Sequence, residues 1–152
     1  MIKVGVNFGR RVSEGIKLNK KHAIRIYVRE ATHTDPRSGE TASLIDIAKK
    51  LIHGAKNMPA RDFLVDSIRE NRVEVLDIIK GSMVWRFQGL TADMQYELAT
   101  QPILYVIKSW LQDGTYYRAN APNAPFTIAT KDGDVPLLDS GQLIDNIEAE
   151  YV

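Results

Sequence analysis

The residues able to do chemistry are few. Three histidines occur, at His22, His33 and His53, and there is no cysteine. Without cysteine there are no disulfides, thiolate metal sites, iron–sulfur clusters or cysteine nucleophiles. The histidines fall in a basic segment, a turn-rich stretch and a helix end. None has a second histidine four residues away, and no H-E-x-x-H occurs. Asp132 and Asp134, with Asp139 nearby, resemble a sparse metal loop. The D-x-[DN]-x-[DN]-G run of a calcium hand and its distal Glu are missing, so Asp132-Gly133 reads as a tight turn. Ser140 stands between Asp139 and Gly141 with no histidine close in sequence, and helix capping accounts for the group. The phosphate-cradling and nucleophile-elbow motifs are absent. Trp85 and Trp110 lie in helical stretches and read as core or interface anchors. With no acid–base pair or nucleophile constellation, the sequence points away from an enzyme, and it implies no cofactor and no metal.

Charge is more informative than any single site. The 152 residues carry a formal net charge of +1. Residues 1–37 hold nine Lys or Arg against Glu14, Glu30 and Asp35, a net +6; the remainder is −5. Such asymmetry suggests two faces that meet different partners. Arg10, Arg11, Lys17, Lys20 and Lys21 are therefore the candidate partner-contacting residues. Residues 132–150 hold Asp132, Asp134, Asp139, Asp145, Glu148 and Glu150 and no base.

The elements that must position these residues follow from periodicity. Ile2, Val4 and Val6 alternate with polar or small neighbours, as do Ile24, Ile26 and Val28, giving two half-buried strands over 2–8 and 23–30. Residues 9–22, with two glycines and six charges, read as a long loop joining strands that pair antiparallel. Residues 31–40 are turn-rich. Leu44, Ile47, Ala48, Leu51 and Ile52 form one helical stripe, capped by Thr41 or Ser43 and closed by Gly54. A longer helix carries Phe63, Leu64, Ile68, Leu76, Ile79 and Met83. A third begins near Thr91 and carries Tyr96, Ala99, Ile103, Ile107, Trp110 and Leu111, with Pro102 expected to kink or break it. Residues 115–138 read as an irregular connection, with a further strand possible over 126–131. Asp139 caps a short helix, and Ile147, Ala149 and Tyr151 mark a C-terminal strand. Strands and helices are segregated. The expected fold is α+β: one domain over 1–152, with an antiparallel sheet of three to four strands and about three helices on one face.

Three strings in order carry a family resemblance. The first is a helix closed by glycine, Ala42-Ser43-Leu44-Ile45-Asp46-Ile47-Ala48-Lys49-Lys50-Leu51-Ile52-His53-Gly54. Met58-Pro59-Ala60-Arg61-Asp62-Phe63-Leu64 follows it. Near the end stand Thr127-Ile128-Ala129-Thr130-Lys131 and Pro136-Leu137-Leu138-Asp139-Ser140-Gly141-Gln142-Leu143, with Ile147 beyond. With an opening strand at Lys3-Val4-Gly5-Val6, this order resembles the neck and tail-completion proteins that join head and tail in tailed bacteriophages. Asp62 stands where those chains carry proline. Each string also has a physical reading. Pro59 directs the chain into the second helix and Phe63 anchors it. Arg61 is either a surface charge or a fork gripping carbonyls or a carboxylate at the turn. Pro136 and Asp139 set the start of the next helix, Gly141 suits close packing, and Leu143 returns to the core.

The resemblance implies a structural virion protein in a ring-shaped neck or tail-completion complex. Its partners would be further copies of itself and other neck, connector or tail proteins. DNA would pass through the ring without sequence-specific binding, and the acidic C-terminal stretch is expected to face that passage. The expected location is the virion, after synthesis in the host cytoplasm. No apolar run approaches the roughly 18 residues of a membrane span, so no membrane role is expected. The alternative is a small nucleic-acid-binding module that uses the basic N-terminal loop.

Overall fold

Alternation of apolar and polar side chains makes β3 (Ala23–Val28) the interior strand of an antiparallel sheet. Ile24, Ile26 and Val28 are fully buried on one face, while Arg25 points to the other. The computed structural model describes residues 7–8, 12–17, 23–35, 38–56, 58–84, 88–130 and 141–152. In it β3 pairs on one side with β2 (Val12–Lys17) and on the other with β6 (Ile147–Tyr151), and β1 (Asn7–Phe8) pairs with β2. The strand order is β1-β2-β3-β6, so β1 and β6 are the two edges. A separate two-stranded ribbon joins β4 (Thr32–Thr34) to β5 (Thr41–Ser43).

The helices cover the face that carries Ile24, Ile26 and Val28. One apolar cluster unites these residues with Ile147 of β6 and with side chains from most of the helices. Helix α1 (Leu44–His53) begins at Ser43, whose hydroxyl accepts from the Ile45 N–H. Helix α2 (Phe63–Glu70) begins at Asp62, whose carboxylate accepts from the Val65 N–H at 3.3 Å. Helix α3 (Arg72–Met83) follows directly, and α4 (Ala92–Asp113) is the longest element. It is capped by the Thr91 hydroxyl and ends at Gly114 in the left-handed conformation. Short helices α5 (Thr115–Asn120), α6 (Pro125–Thr130) and α7 (Gln142–Asp145) lead to β6.

The α+β class stands, with more elements than the periodicity predicts. Residues 12–17 form β2 rather than part of a loop, so Asn7–Phe8, the described end of the expected first strand (2–6 lie outside the described residues), pairs with β2 rather than β3. Glycine at 15 and the surrounding charges mask a short alternation that the neighbouring strands complete through hydrogen bonds. The long second helix is two helices. At Asn71 the backbone leaves helical geometry, and the Asn71 side-chain amide donates to the Ser67 carbonyl. Pro102 does not end α4; Leu98, whose carbonyl it leaves without a helical donor, is half exposed and can bond water. The irregular connection contains α5 and α6, and the segment considered for a further strand is helical up to Thr130. Seven helices, not three, lie among the described residues.

Gly54 shows how tightly the turn after α1 is drawn. Its φ is +73°, and a Cβ there would lie 2.9 Å from both the Ala60 nitrogen and the Met58 oxygen. Both are backbone atoms and cannot step aside. Gly54→Ala is expected to cost about 1–3 kcal/mol, from strain plus displacement; chemical denaturation with an unchanged m-value would check it. Gly39→Ala, at φ +70° with open space around it, should cost less.

Candidate assembly interface

Arg61 lies just before α2 and is 4% exposed. Its Nε donates to the Ala121 carbonyl at 2.9 Å, and Nη2 donates to the Pro122 carbonyl at 3.0 Å and to Asn123 Oδ1 at 3.2 Å. The guanidinium thus grips the turn between α5 and α6, across about sixty residues of chain. Of the two readings of Arg61, the carbonyl fork is the one observed. The planar fork is what makes this possible, because one rigid group reaches neighbouring carbonyls at once. Burial lowers its pKa, yet an arginine stays charged. The Arg61 N–H also donates to the Leu51 carbonyl at 2.7 Å, tying the segment ahead of α2 to α1.

A second knot adjoins the fork. The Tyr117 hydroxyl donates to Asp66 Oδ2 at 2.8 Å, and Arg69 Nη2 donates to Asp66 and to the Tyr116 hydroxyl. The rings of Trp110, Tyr116 and Tyr117 pack with centroids 5.2–5.7 Å apart. Burial, then the bond to Asp66, pushes the Tyr117 phenol far above its ordinary pKa. Burial likewise raises Asp62, partly offset by the Val65 N–H that it accepts.

The outward surfaces are the sheet's polar face, its β6 edge and one side of α4. On the polar face Arg25 donates to Glu150 at 2.9 Å, Tyr27 donates to Glu148 at 2.9 Å, and Arg29 stands 3.2 Å from Glu148. The acidic C-terminal strand is therefore not a wall of one sign, because Glu150 meets Arg25 of β3 and Glu148 meets Arg29 just beyond it. At the edge, the ladder alternates. Ala23 and Val152 exchange both backbone bonds at 2.8 Å, which makes Ile26–Ala149 a pair without ladder bonds. Ala149 therefore directs its N–H and C=O outward. Beside it, α4 presents Met94, Leu98 and Tyr105, which are 49%, 48% and 73% exposed and recur on one helical side. An open groove of about 750 Å3 runs between the two, lined by Met94, Glu97, Leu98, Ala149 and Glu150 among others.

The residues singled out from sequence are distributed unevenly. Phe63 is fully buried and Leu143 nearly so. Pro59 is exposed in the connection ahead of α2. Gly141 is the N-cap of α7 with φ +75°, so its glycine serves backbone conformation rather than close packing, and α7 has no side-chain cap there. Lys17 closes β2 opposite Ala23. Arg10, Arg11, Lys20, Lys21, Pro136 and Asp139 lie outside the described residues, as do His22 and Trp85. His33 bonds Gln142 through Nδ1 at 2.7 Å. Among the described residues no group of three or more His, Asp or Glu could hold a metal, and no helix is long and apolar enough to cross a membrane. Asp66, Tyr117 and the Met94–Leu98–Tyr105 stripe were not singled out. The stripe was legible as a second apolar helical spacing, whereas the Asp66–Tyr117 contact spans 51 positions and leaves no local mark.

Comparison with protein-family models, with curated proteins and with solved structures gives no match for this chain.

Two outcomes follow from the fork and the knot. Arg61→Lys keeps the charge but reaches fewer of the three acceptors, and it should cost about 2–4 kcal/mol by leaving buried carbonyls unpaired; Arg61→Met should cost as much, showing that geometry and not charge is at stake. Denaturant midpoints of both variants measure this. Tyr117 has a folded pKa raised above its unfolded value near 10. Its contribution is therefore complete below about pH 10 and is lost as pH climbs beyond that. The melting temperature should fall in the alkaline range, and Tyr117→Phe should flatten that fall while lowering stability at neutral pH.

Proposed function

We propose that this chain is a non-enzymatic structural protein of a tailed bacteriophage, a subunit of the ring-shaped neck or tail-completion complex that joins head and tail. The observation that carries the reading is the sheet edge at Ala149, which no described strand covers, beside an exposed apolar stripe on α4. Monomeric proteins usually blunt or cover such an edge, and apolar side chains rimmed by polar ones mark contact surfaces. The ordered strings from Ala42–Gly54 to Pro136–Leu143 and Ile147 supply the family to which such a surface would belong. In this reading Arg61 and Phe63 are scaffold. They fix α2 and the α5–α6 turn so that α4 and β6 keep one relative position, and assembly is the activity.

The chain's partners would be further copies of itself and the neck, connector or tail proteins above and below. DNA would pass through without sequence readout. The test pairs mass measurement in solution with duplex binding at two salt concentrations. A ring former should self-associate, alone or with neighbouring virion proteins, and should show no salt-steep affinity for DNA. Tight duplex binding that falls steeply between low and moderate salt, from a monomer, would support the nucleic-acid module instead.

A further inference from the structure

Beyond that reading, we infer that two copies of the free chain dock through the outer side of α4, antiparallel and across a two-fold axis. Met94, Leu98, Gln101 and Tyr105 recur at intervals of four, three and four residues, the spacing of a seam that meets another helix. All four are exposed, and they lie opposite Ala99, Ile103 and Ile107, which hold α4 on the core. At about 3.6 residues per turn, Glu97 and Lys108 fall on one flank of this seam, and Pro102 and Ser109 fall on the other. One flank of α4 is therefore charged, with its acid toward the N-terminal end and its base toward the C-terminal end.

That arrangement selects a second copy as the occupant. When two identical helices face each other antiparallel, like flanks lie on the same side, and the first half of each meets the second half of the other. With the axis level with Ile103, Lys108 of each copy stands level with Leu98 of the other, beside Glu97. Tyr105 then stands level with Gln101, one turn from Leu98. Two acid–base pairs result, one at each end of the seam. Among the described residues nothing pairs with Glu97. The Lys108 ammonium donates to the Asp145 carbonyl and has two further N–H donors. Pro102 adds an acceptor at the same place, because the Leu98 carbonyl has lost its helical donor next to Glu97. A parallel pair would put like flanks on opposite sides, so Glu97 and Lys108 would face the uncharged flank of Pro102 and Ser109. A two-fold contact closes at two copies. It is distinct from the heterologous contact that a ring needs, and its failure leaves the ring reading intact.

The chain lacks cysteine, so introduced thiols report without background. Met94→Cys protein is mixed with Gln112→Cys protein at high concentration and oxidised, and the products are resolved by intact mass. The antiparallel pair sets these two positions level, whereas the two copies of residue 94 stand about 27 Å apart along the helix axis, beyond disulfide reach. The mixed dimer should exceed the M94C homodimer roughly tenfold. Predominance of the M94C homodimer would overturn the inference, as would rings or larger assemblies of the parent protein with no mixed dimer; in both cases the ring reading survives. Sedimentation equilibrium then reads the charges. Glu97→Lys and Lys108→Glu should each weaken dimerisation on the order of tenfold while keeping the parent's circular dichroism. The double variant, which only exchanges the two signs, should dimerise as the parent does. Dimers indifferent to all three changes would overturn the inference, and so would a parent protein that is monomeric at every concentration and gives no cross-link, even if a different virion protein covers the seam.

Discussion

Pairing of β3 with β6 is the constraint on which the remaining structure depends. It brings residues 23–28 against residues 147–151 and so closes nearly the whole chain into one loop. Everything between, from the β4–β5 ribbon to α7, must return the chain to that edge. The ladder is specific because both strands alternate in phase. Ile24, Ile26 and Val28 face the helices together with Ile147, Ala149 and Tyr151, while Arg25 and Tyr27 meet Glu150 and Glu148 on the other side. A slip of one residue would drive glutamates into the core and expose the isoleucines. The exposed Arg–Glu pairs add little energy individually, but they penalise the wrong register.

Within that loop, α4 is held at several points. The Tyr96 ring stacks on Tyr151 with centroids 5.8 Å apart, and the Tyr151 hydroxyl donates to Asp93 at 2.8 Å. Farther along, Lys108 Nζ donates to the Asp145 carbonyl at 3.0 Å. The Arg61 fork and the Asp66–Tyr117 bond then fix the α5–α6 turn against α2. The consequence for function is mechanical. The groove beside α4 and β6 has walls tied by side-chain contacts, so a partner docking there would meet a surface already shaped. Preorganisation of this kind lowers the ordering cost of association.

Much of this was legible in the sequence where the cause is local. The stripe of α1, its Ser43 cap, the Thr91 cap and Gly114 end of α4, and the alternation of β3 and β6 all arise within a few residues. Arg61 was recognisable as a fork or a surface charge, but its acceptors sixty residues away were not. The second helix divides at Asn71 because a side-chain amide competes for the Ser67 carbonyl, a choice that spacing alone does not reveal. β2 was missed for the opposite reason. Between Val12 and Ile16 it carries Ser13, Glu14 and Gly15, weak strand formers that the strands on either side recruit. The apolar stripe on α4 escaped notice because a stripe is ordinarily assigned to the core, and α4 has two.

If this chain assembles at a head–tail junction, as proposed, a three-dimensional reconstruction of the phage particle tests it most directly. The account predicts ring density at the junction in which each subunit fits this fold, with β6 and α4 buried between neighbours. Density at the junction fully explained by other chains, with this one absent from purified particles, would contradict it.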